Sequence, residues 1–378
     1  MKIVTIIGAR PQIIKAAALS RAIIKFYHNK IEEVIVHTGQ HYDENMSQVF
    51  FDELSIPHPN YNLNVGSGSH GQQTAKMLEG IEEILIKENP DFIVLYGDTN
   101  STLAGAIAAA KLHIPITHIE AGLRSFNKKM PEEINRITCD HCATLLFSPT
   151  KTGFNNLIRE GFNPNNTKPY NADNPKIYHC GDVMYDNSKY FATIAREKVD
   201  IINRLNLNEK PFILATIHRD NNTDQTERLT SIIEALVEIA DNNKIVLPLH
   251  PRTKKLVEQN LDEKTKTKLY QCKNIQLIEP VSFLEMIELE RNAEMIITDS
   301  GGVQKEAFFF MKPCIILRHE TEWTEIVEAG TAILADANKD LIIESYNTFK
   351  AEPPRHYPYI FGDGHAAEFI LEKMIETK

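Results

Sequence analysis

Residues 1–26 read MKIVTIIGARPQIIKAAALSRAIIKF, an apolar run that stops at a glycine and is followed at once by an amphipathic stretch. Residues 3–7 have the length and the continuous apolar character of a strand that is buried on both faces. Residues 11–26 begin with a proline, which suits the first position of a helix, and repeat apolar side chains at helical spacing. The stretch therefore predicts a strand–helix unit of a parallel α/β fold.

The same alternation continues along the chain of 378 residues, with six short apolar runs in each half. It predicts two Rossmann-like, doubly wound domains that face a central cleft, with ligands at the carboxyl ends of the strands. The predicted strands are 3–7, 34–37, 92–96, 116–119, 145–147 and 177–179, then 212–217, 245–249, 275–278, 295–297, 314–317 and 332–334.

The boundary between the domains is predicted in a segment rich in Asn and Pro, residues 161–186. We assign residues 1–175 to the first domain and residues 176–365 to the second. The tail, residues 366–378, has a helical pattern, and we expect it to pack back on the first domain.

The composition excludes several classes of protein. Hydrophobic residues make up 42% and charged residues 24%, which is ordinary for a globular chain and excludes wholesale disorder. The net charge of −10 argues against nucleic acid as a partner. No apolar run approaches about 18 residues and no signal peptide is evident, so we expect a cytoplasmic protein that does not enter a membrane. A lone C-x-x-C pair, Cys139 and Cys142, lies in a predicted helix and does not indicate a metal site.

The first candidate site follows the first strand, in residues 8–12, GARPQ. A helix begins here, and Arg10 and Lys15 can reach the space in front of it. A helix N-terminus with two cations is a reasonable anion site, although a plain strand-to-helix turn with solvated basic residues fits equally well. The absence of G-x-G-x-x-G after this strand argues against a dinucleotide.

Three acidic residues follow strand or helix boundaries in the first half. Asp98 lies in YGDTN, Glu120 in HIEAGLR and Glu132 at the start of a predicted helix in MPEEINR. Acids brought together repel one another, and a raised pKa suits proton abstraction or donation. A single such acid is commonly a helix cap, but three within 35 residues favour an acid/base site.

In the second half, His218 and His250 each follow a strand and are candidates for lining a cleft. Residues 298–306, TDSGGVQKE, predict a strand that enters a glycine turn and then a helix. The backbone N–H groups of Ser300, Gly301 and Gly302 could cradle a phosphate at that helix N-terminus. Glu306, one turn later, could accept hydrogen bonds from a ribose. The alternative is a turn that merely needs glycine.

Taken together, these motifs resemble the non-hydrolysing UDP-N-acetylglucosamine 2-epimerase family, and the resemblance runs from residue 6 to residue 330. The resemblance implies a GT-B architecture, a homodimer, a UDP-sugar substrate, and neither a cofactor nor a metal. The matching motifs are IIGARP (6–11), HTGQH (37–41), GDT (97–99), HIEAGLR (118–124), PEEINR (131–136), TIHR (216–219) and TDSGGVQKE (298–306).

The resemblance also implies a mechanism in which UDP is eliminated to give a 2-acetamidoglucal and is then added back, with C2 inverted. Its product would be a manno-configured precursor for surface polysaccharide. Which acid takes the proton and which returns it stays open. By motif position the catalytic residues would be Asp98, Glu120, Glu132 and His218, with contact to the diphosphate as the alternative role of His218. The substrate- and UDP-binding residues would be Arg10, Lys15, Arg136, Ser300, Gly301, Gly302 and Glu306.

The chain departs from the family pattern in ways that bear on the substrate. Trp323 stands where many relatives have an arginine of the cleft, beside the sugar, and Met286 stands where an aromatic residue near uracil is common. With SFN at 125–127 and FFFMKP at 308–313, the pattern resembles the branch that acts on UDP-2,3-diacetamido-2,3-dideoxyglucuronate. The carboxylate of that sugar needs a partner, and Arg124, Arg219 and Lys129 are the candidates. An activator site described for the plain branch would include Gln40 and His41.

Several alternatives remain open at this point. A plain UDP-N-acetylglucosamine 2-epimerase would form UDP-N-acetylmannosamine. A GT-B glycosyltransferase would share the UDP pocket but would not need three acids. A hydrolysing epimerase would release free sugar, and a nucleotide-sugar sensor would show no turnover.

Overall fold

The computed structural model describes residues 1–39, 56–208 and 211–378. By their contacts these residues form two compact units. The first consists of Met1–Asn187 together with Tyr359–Lys378, and the second of Ser188–Pro358.

The first unit is built on a parallel sheet of seven strands in the order β3-β2-β1-β4-β5-β6-β7. The side chains of the central strands are buried on both faces, which explains why those strands are apolar without alternation. The strands are β1 (Lys2–Ile7), β2 (Glu32–His37), β3 (Tyr61–Asn62), β4 (Phe92–Tyr96), β5 (Ile116–Ile119), β6 (Leu145–Ser148) and β7 (Lys176–His179).

Helices connect these strands and cover the sheet. The predicted helix at 11–26 begins at Arg10 and ends as an α-helix at Ala22, after which a single π-helical turn, Ile23–Tyr27, completes it. The helices are α1 (Arg10–Ala22), α2 (His70–Glu88), α3 (Asn100–Lys111), α4 (Pro131–Cys142), α5 (Lys151–Arg159) and α6 (Val183–Lys198), and the division between the units falls within α6.

The second unit repeats this plan with six parallel strands in the order β10-β9-β8-β11-β12-β13. Its strands are β8 (Phe212–Thr216), β9 (Lys244–Pro248), β10 (Ile275–Ile278), β11 (Met295–Thr298), β12 (Cys314–Ile316) and β13 (Ala332–Leu334). Its helices are α7 (Ile201–Arg204), α8 (Asp220–Thr223), α9 (Thr226–Ile239), α10 (Pro251–Asn260), α11 (Glu263–Gln271), α12 (Phe283–Asn292), α13 (Gly301–Phe309), α14 (Thr324–Glu328) and α15 (Lys339–Ala351).

In each sheet the strand that comes first in the chain lies in the middle, and this order determines where polar side chains collect. The chain enters at β1 or β8, adds strands toward one edge, and then returns to the other side of the first strand with β4 or β11. A crevice forms at the carboxyl ends of the strands where the order reverses. The predicted α/β fold with two doubly wound parallel sheets is confirmed.

The last helix, α16 (Ala366–Thr377), belongs by its contacts to the first unit. Asp186 caps its N-terminus by accepting hydrogen bonds from the N–H groups of Ala366 (3.2 Å) and Ala367 (2.8 Å). Strand β7, which the sequence analysis assigned to the second domain, pairs with β6 over its whole length. Residues 176–187 therefore lie with the first sheet, because the ladder of hydrogen bonds continues past the Asn- and Pro-rich segment.

Candidate functional site

The turn after β1 is fastened by a buried glutamine. The side-chain oxygen of Gln12 accepts hydrogen bonds from the N–H groups of Gly8 (2.9 Å) and Ala9 (3.2 Å). Its amide nitrogen donates to the carbonyl of Tyr96 at the end of β4 and to Thr102 Oγ1, each at 3.0 Å. Gln12 therefore joins the end of β1 to the end of β4. Arg10 is the first residue of α1 and is exposed.

Gly8 is required here because the chain passes very close to its neighbours. A Cβ atom at this position would lie 2.1 Å from Thr38 Oγ1 and 2.2 Å from Ser101 Oγ, two hydroxyls that are hydrogen-bonded to each other at 2.8 Å.

Four of the predicted site residues meet beside this turn, and we call them the carboxylate cluster: Lys15, Asp98, Glu120 and Arg136. Lys15 forms an ion pair with Glu120, and Arg136 forms one with Asp98. Gly97 lies between the pairs at φ +61°, where a Cβ would come within 3.1 Å of Glu120 Oε2 and 3.3 Å of Lys15 Nζ. The cluster thus places two acids, each with its own cation, at the carboxyl ends of β4 and β5.

The electrostatics of the cluster favour a carboxyl group that can hold a proton. Burial raises the pKa of Asp98 above its usual value, and Glu120 adds to the rise, although Arg136 and Lys15 oppose it. Glu120 is also held at φ +73°, a backbone conformation that is uncommon for a residue with a side chain and that often accompanies functional sites.

A buried histidine holds the backbone of the cluster next to Asp98. His118 Nδ1 lies 2.7 Å from Asp140 Oδ1, and His118 Nε2 lies 2.8 Å from the carbonyl oxygen of Gly97. Because a carbonyl can only accept, Nε2 carries a proton. Burial would lower the pKa of His118, but Cys139 and Asp140 raise it well above its usual value. An imidazolium therefore fixes the turn that carries Asp98.

Arg124 is committed to the same network and is not available to a ligand. Its guanidinium, only 1% exposed, contacts Asp140 (2.7 Å), Glu160 (2.6 and 2.7 Å) and the carbonyl of Leu123 (2.7 Å). This excludes Arg124 as the partner of a sugar carboxylate, whereas Arg219 and Lys129 are exposed.

At the start of α4 the structure distinguishes two neighbouring glutamates. Glu132, the predicted catalytic residue, is exposed in the first turn. Glu133 is buried and accepts hydrogen bonds from the N–H and hydroxyl of Ser125 (both 2.9 Å), the N–H of Phe126 (3.0 Å) and Arg136 (3.2 Å).

In the second unit, the buried Asp299 organises the end of β8. It accepts hydrogen bonds from the backbone N–H groups of His218 (3.1 Å) and Arg219 (3.0 Å) and from Asn222 Nδ2 (3.1 Å). His218 Nδ1 lies 3.3 Å from Asp299 Oδ1, and the ring is 49% exposed. With Nδ1 facing the carboxylate, Nε2 is the nitrogen that remains for a ligand.

The glycine turn, residues 300–302, opens helix α13. Ser300 Oγ caps the helix by accepting from the N–H of Val303 (3.4 Å), and the N–H of Ser300 donates to Thr298 Oγ1 (2.9 Å). The expectation that three backbone N–H groups face a phosphate therefore needs correction. Ser300 N–H is already used, and the N–H groups of Gly301 and Gly302 remain, together with the Ser300 hydroxyl proton.

Two residues beside the glycine turn have roles that the sequence did not reveal. Arg318, just after β12, forms a bidentate ion pair with Glu322 at 2.9 Å and lies 3.8 Å from where a Cβ of Gly301 would be. Trp323 is buried, and its indole N–H donates to the carbonyl of Gly301 at 3.1 Å. The polar atom of Trp323 therefore holds the turn, and its place beside a sugar stays a prediction.

Glu306, in the second turn of α13, lies beside a second acid. Glu290 on α12 is 0% exposed. Burial raises the pKa of Glu290 well above its usual value, and Glu306 raises it further. The folded protein therefore favours the protonated, neutral form of Glu290.

The remaining predictions concern residues away from these clusters. Burial lowers the pKa of His37 to about 4, so its ring is neutral at pH 7, and its Nδ1 accepts from the N–H of Gly39 at 3.0 Å. Gln40 and His41 lie outside the described residues. Within residues 1–39, 56–208 and 211–378, no group of three or more His, Cys, Asp or Glu could hold a metal ion, and no helix has the length and apolarity to cross a membrane.

Comparison with known proteins places the whole chain in one family. A family model described as UDP-N-acetylglucosamine 2-epimerase matches residues 26–375. A relative in Methanococcus maripaludis, a UDP-N-acetylglucosamine 2-epimerase homolog, is 51% identical over 98% of this chain and 99% of its own. The UDP-2,3-diacetamido-2,3-dideoxy-D-glucuronate 2-epimerase of Pseudomonas aeruginosa is 49% identical with the same coverage.

The similarity extends to solved structures. The crystal structure of the UDP-GlcNAc 2-epimerase of Methanocaldococcus jannaschii, in complex with UDP-GlcNAc and UDP, matches with a TM-score of 0.82 and 44% identity over 100% of both chains. The match confirms the predicted fold class, and the relatives that match are 2-epimerases, which are isomerases. The chain belongs to the UDP-N-acetylglucosamine 2-epimerase family.

Proposed function

We propose that this protein inverts C2 of a UDP-linked 2-acetamido sugar by eliminating UDP and adding it back. The observation that carries the proposal is the carboxylate cluster, in which Asp98 and Glu120 lie together, each paired with a cation. Proton transfer at a carbon on both faces of a sugar needs two groups that can each gain and lose a proton.

The reaction is balanced without an oxidant or a cofactor. A carboxylate removes the proton on C2, the electron pair forms the C1–C2 double bond, and the C1–O bond breaks to release UDP. In the return step a carboxylic acid protonates C2 from the opposite face, and an oxygen of UDP bonds to C1 again. Asp98, Glu120 and Glu132 are the acids assigned to these steps, and the order in which they act stays open.

The departing diphosphate gains negative charge, and this charge needs stabilisation. In the first unit, Arg10, Lys15 and Arg136 supply cations at the start of α1 and in the cluster. In the second unit, the N–H groups of Gly301 and Gly302, the Ser300 hydroxyl, His218 and Arg318 are assigned to the diphosphate. Support comes from the helix N-terminus at residue 301. Arg318 lies beside it, with its guanidinium paired with Glu322. Glu306 is assigned to the uridine ribose.

We propose UDP-2,3-diacetamido-2,3-dideoxyglucuronate as the substrate. The support is the 49% identical relative in Pseudomonas aeruginosa that is named for this sugar. The carboxylate at C6 of the sugar needs a cation, because an unpaired buried charge is costly. Arg219 and Lys129, both exposed, are assigned to it. Plain UDP-N-acetylglucosamine is the alternative substrate.

The decisive experiment is proton NMR in D₂O with each of the two UDP-sugars. We expect loss of the C2 proton signal, one deuterium at C2 of the product, a manno-configured UDP-sugar, and faster turnover of the diacetamido sugar. Free sugar and UDP as stable products would contradict the epimerase assignment, and no exchange with either sugar would overturn it. Equal or faster turnover of UDP-N-acetylglucosamine would contradict only the substrate.

We also infer a homodimer that works in the cytoplasm and supplies a precursor for surface polysaccharide. The basis is the resemblance to the family. Light scattering on the purified chain tests the dimer, and a mass near that of a single chain would contradict it.

A further inference from the structure

We infer that Glu133 is a positioning residue of this active site: it anchors Arg136 on Asp98 and joins residues 125–126 to that ion pair. The inference rests on the proposed function, because it concerns a group that the proposed reaction uses. It assigns a role to the second glutamate of the Pro-Glu-Glu sequence, which the sequence analysis left without one.

The first support is the number of hydrogen bonds that the buried carboxylate of Glu133 accepts. Its carboxylate is 1% exposed and accepts four hydrogen bonds, three of them from Ser125 and Phe126 at 2.9–3.0 Å. A buried carboxylate is stable only when such donors and a cation replace its water. The loop before α4 is therefore held to the helix by this one side chain.

The second support is the geometry of Arg136, whose two terminal nitrogens serve different acids. Nη1 donates to Glu133 Oε2 at 3.2 Å, and Nη2 forms the ion pair with Asp98. The planar guanidinium fixes the angle between its donors, so the acid that holds Nη1 also decides where Nη2 points. Glu133 thus sets the position of the cation on Asp98.

The charges around Asp98 predict how replacement of Glu133 would change the pKa of Asp98. Asp98 is faced by Arg136 from α4, Lys15 from α1 and Glu120 from the end of β5. In the native protein Arg136 divides its charge between Glu133 and Asp98. Without the negative charge on Glu133, the whole charge of Arg136 would act on Asp98 and lower its pKa.

The test compares Glu133→Gln, Glu133→Asp and a matched control, Glu88→Gln. Glu88 is a partly buried acid of the first unit, paired with Lys2 near the amino end of the sheet, so its replacement removes the same charge away from the cluster. The measurement is the pH dependence of kcat/KM, with Asp98→Asn as the reference that removes the limb governed by Asp98.

For Glu133→Gln we expect that limb to move to lower pH by at least about 0.5 unit and kcat to fall at least about tenfold. For Glu88→Gln we expect neither change. Glu133→Asp keeps the negative charge but shortens the side chain by one methylene. We therefore expect a lower kcat, with the Asp98 limb of the pH profile at its wild-type position. This variant decides the matter if Glu133→Gln fails to fold.

Folded Glu133→Gln with the wild-type pH profile and kcat would overturn the inference, and so would Glu133→Asp with wild-type kcat per folded molecule. In either case wild-type turnover would leave the proposed function standing. Failure of the wild-type protein to exchange the C2 proton would instead overturn the proposed function itself.

Discussion

The two units differ in the groups that follow the strands at the middle of each sheet. In the first unit the acids lie next to cations: Asp98 with Arg136, Glu120 with Lys15, and Asp140 with His118 and Arg124. In the second unit the turn after β11 offers the N–H groups of a helix N-terminus, with the Arg318–Glu322 ion pair beside it. Elsewhere in that unit the buried acid Glu290 lies beside another acid.

This difference corresponds to two kinds of ligand chemistry. A carboxyl group whose pKa is raised by burial and by a neighbouring acid, while cations oppose the rise, can hold a proton in one step and release it in another, which is what a proton-transfer site needs. A helix N-terminus with N–H donors carries a fixed positive partial charge, which suits a phosphate group that is anionic throughout the reaction. We therefore expect substitutions in the first unit to affect chemistry and substitutions in the second to affect binding.

The largest expected effect is the loss of an acid from the first unit. Replacing Asp98, Glu120 or Glu132 by its amide should lower kcat by at least ~10²-fold, because a proton-transfer group is lost with little change in volume. The measurement is NMR turnover together with circular dichroism to verify the fold. Near-wild-type rates in all three variants would show that the first unit is not the site of proton transfer.

The next effect concerns the diphosphate. Arg318→Ala should weaken UDP binding about 10- to 100-fold, because a charge-assisted hydrogen bond contributes about 1.5–3 kcal/mol. Calorimetric titration with UDP measures it. Arg204→Ala is the control, since Arg204 is an exposed arginine of the same unit that is paired with Glu285.

A companion variant sharpens this result. Burial would raise the pKa of Glu322, but its ion pair with Arg318 holds it below its usual value, so Glu322 is ionised beside the glycine turn. Glu322→Gln should therefore bind UDP at least as tightly as the wild type. Weaker binding in Glu322→Gln and no loss in Arg318→Ala would assign the phosphates to another place.

A smaller effect is expected for Glu306→Ala. If Glu306 holds the ribose, which does not react, it contributes to ground-state and transition-state binding alike. We expect the Kd of UDP to rise about tenfold and kcat at saturation to change by less than about twofold. A large loss of kcat with an unchanged Kd would place Glu306 among the groups that act on the sugar.

The sequence predicted the fold because strands buried on both faces are apolar without interruption, and twelve such runs are readable. It also predicted that Asp98, Glu120 and Glu132 converge on one site, because parallel strands bring their carboxyl ends together, and the family resemblance added Lys15 and Arg136.

The sequence could not predict which neighbour each polar side chain would bond. Glu132 and Glu133 are adjacent and chemically identical, and only the path of residues 125–126 makes Glu133 the buried one. The resemblance aligned Trp323 with a ligand-binding arginine. In the structure its indole N–H donates a hydrogen bond to the carbonyl of Gly301. For His118 a signal did exist, since a histidine inside a buried strand must find partners for both nitrogens.

The last expected effect concerns stability and not activity, and it tests the claim that the pKa of Glu290 is raised in the folded protein. Its folded pKa lies above the unfolded value of about 4.5, so the folded state holds a proton that the unfolded state has lost. The contribution of Glu290 to stability is complete below that unfolded pKa and is lost as the pH rises toward the folded one. Glu290→Gln removes this dependence while keeping the shape.

Urea unfolding at pH 5 and pH 8 measures the effect. The free energy of unfolding of Glu290→Gln relative to the wild type should rise between these pH values, by at most about 1.4 kcal/mol for each pH unit. Glu288→Gln, on the same helix, is the matched control. It breaks the ion pair with Arg291 and should show no such gain at higher pH. If the difference between Glu290→Gln and the wild type instead stayed constant from pH 5 to pH 8, Glu290 would be ionised in the folded protein over this whole range, and the claim of a raised pKa would be wrong.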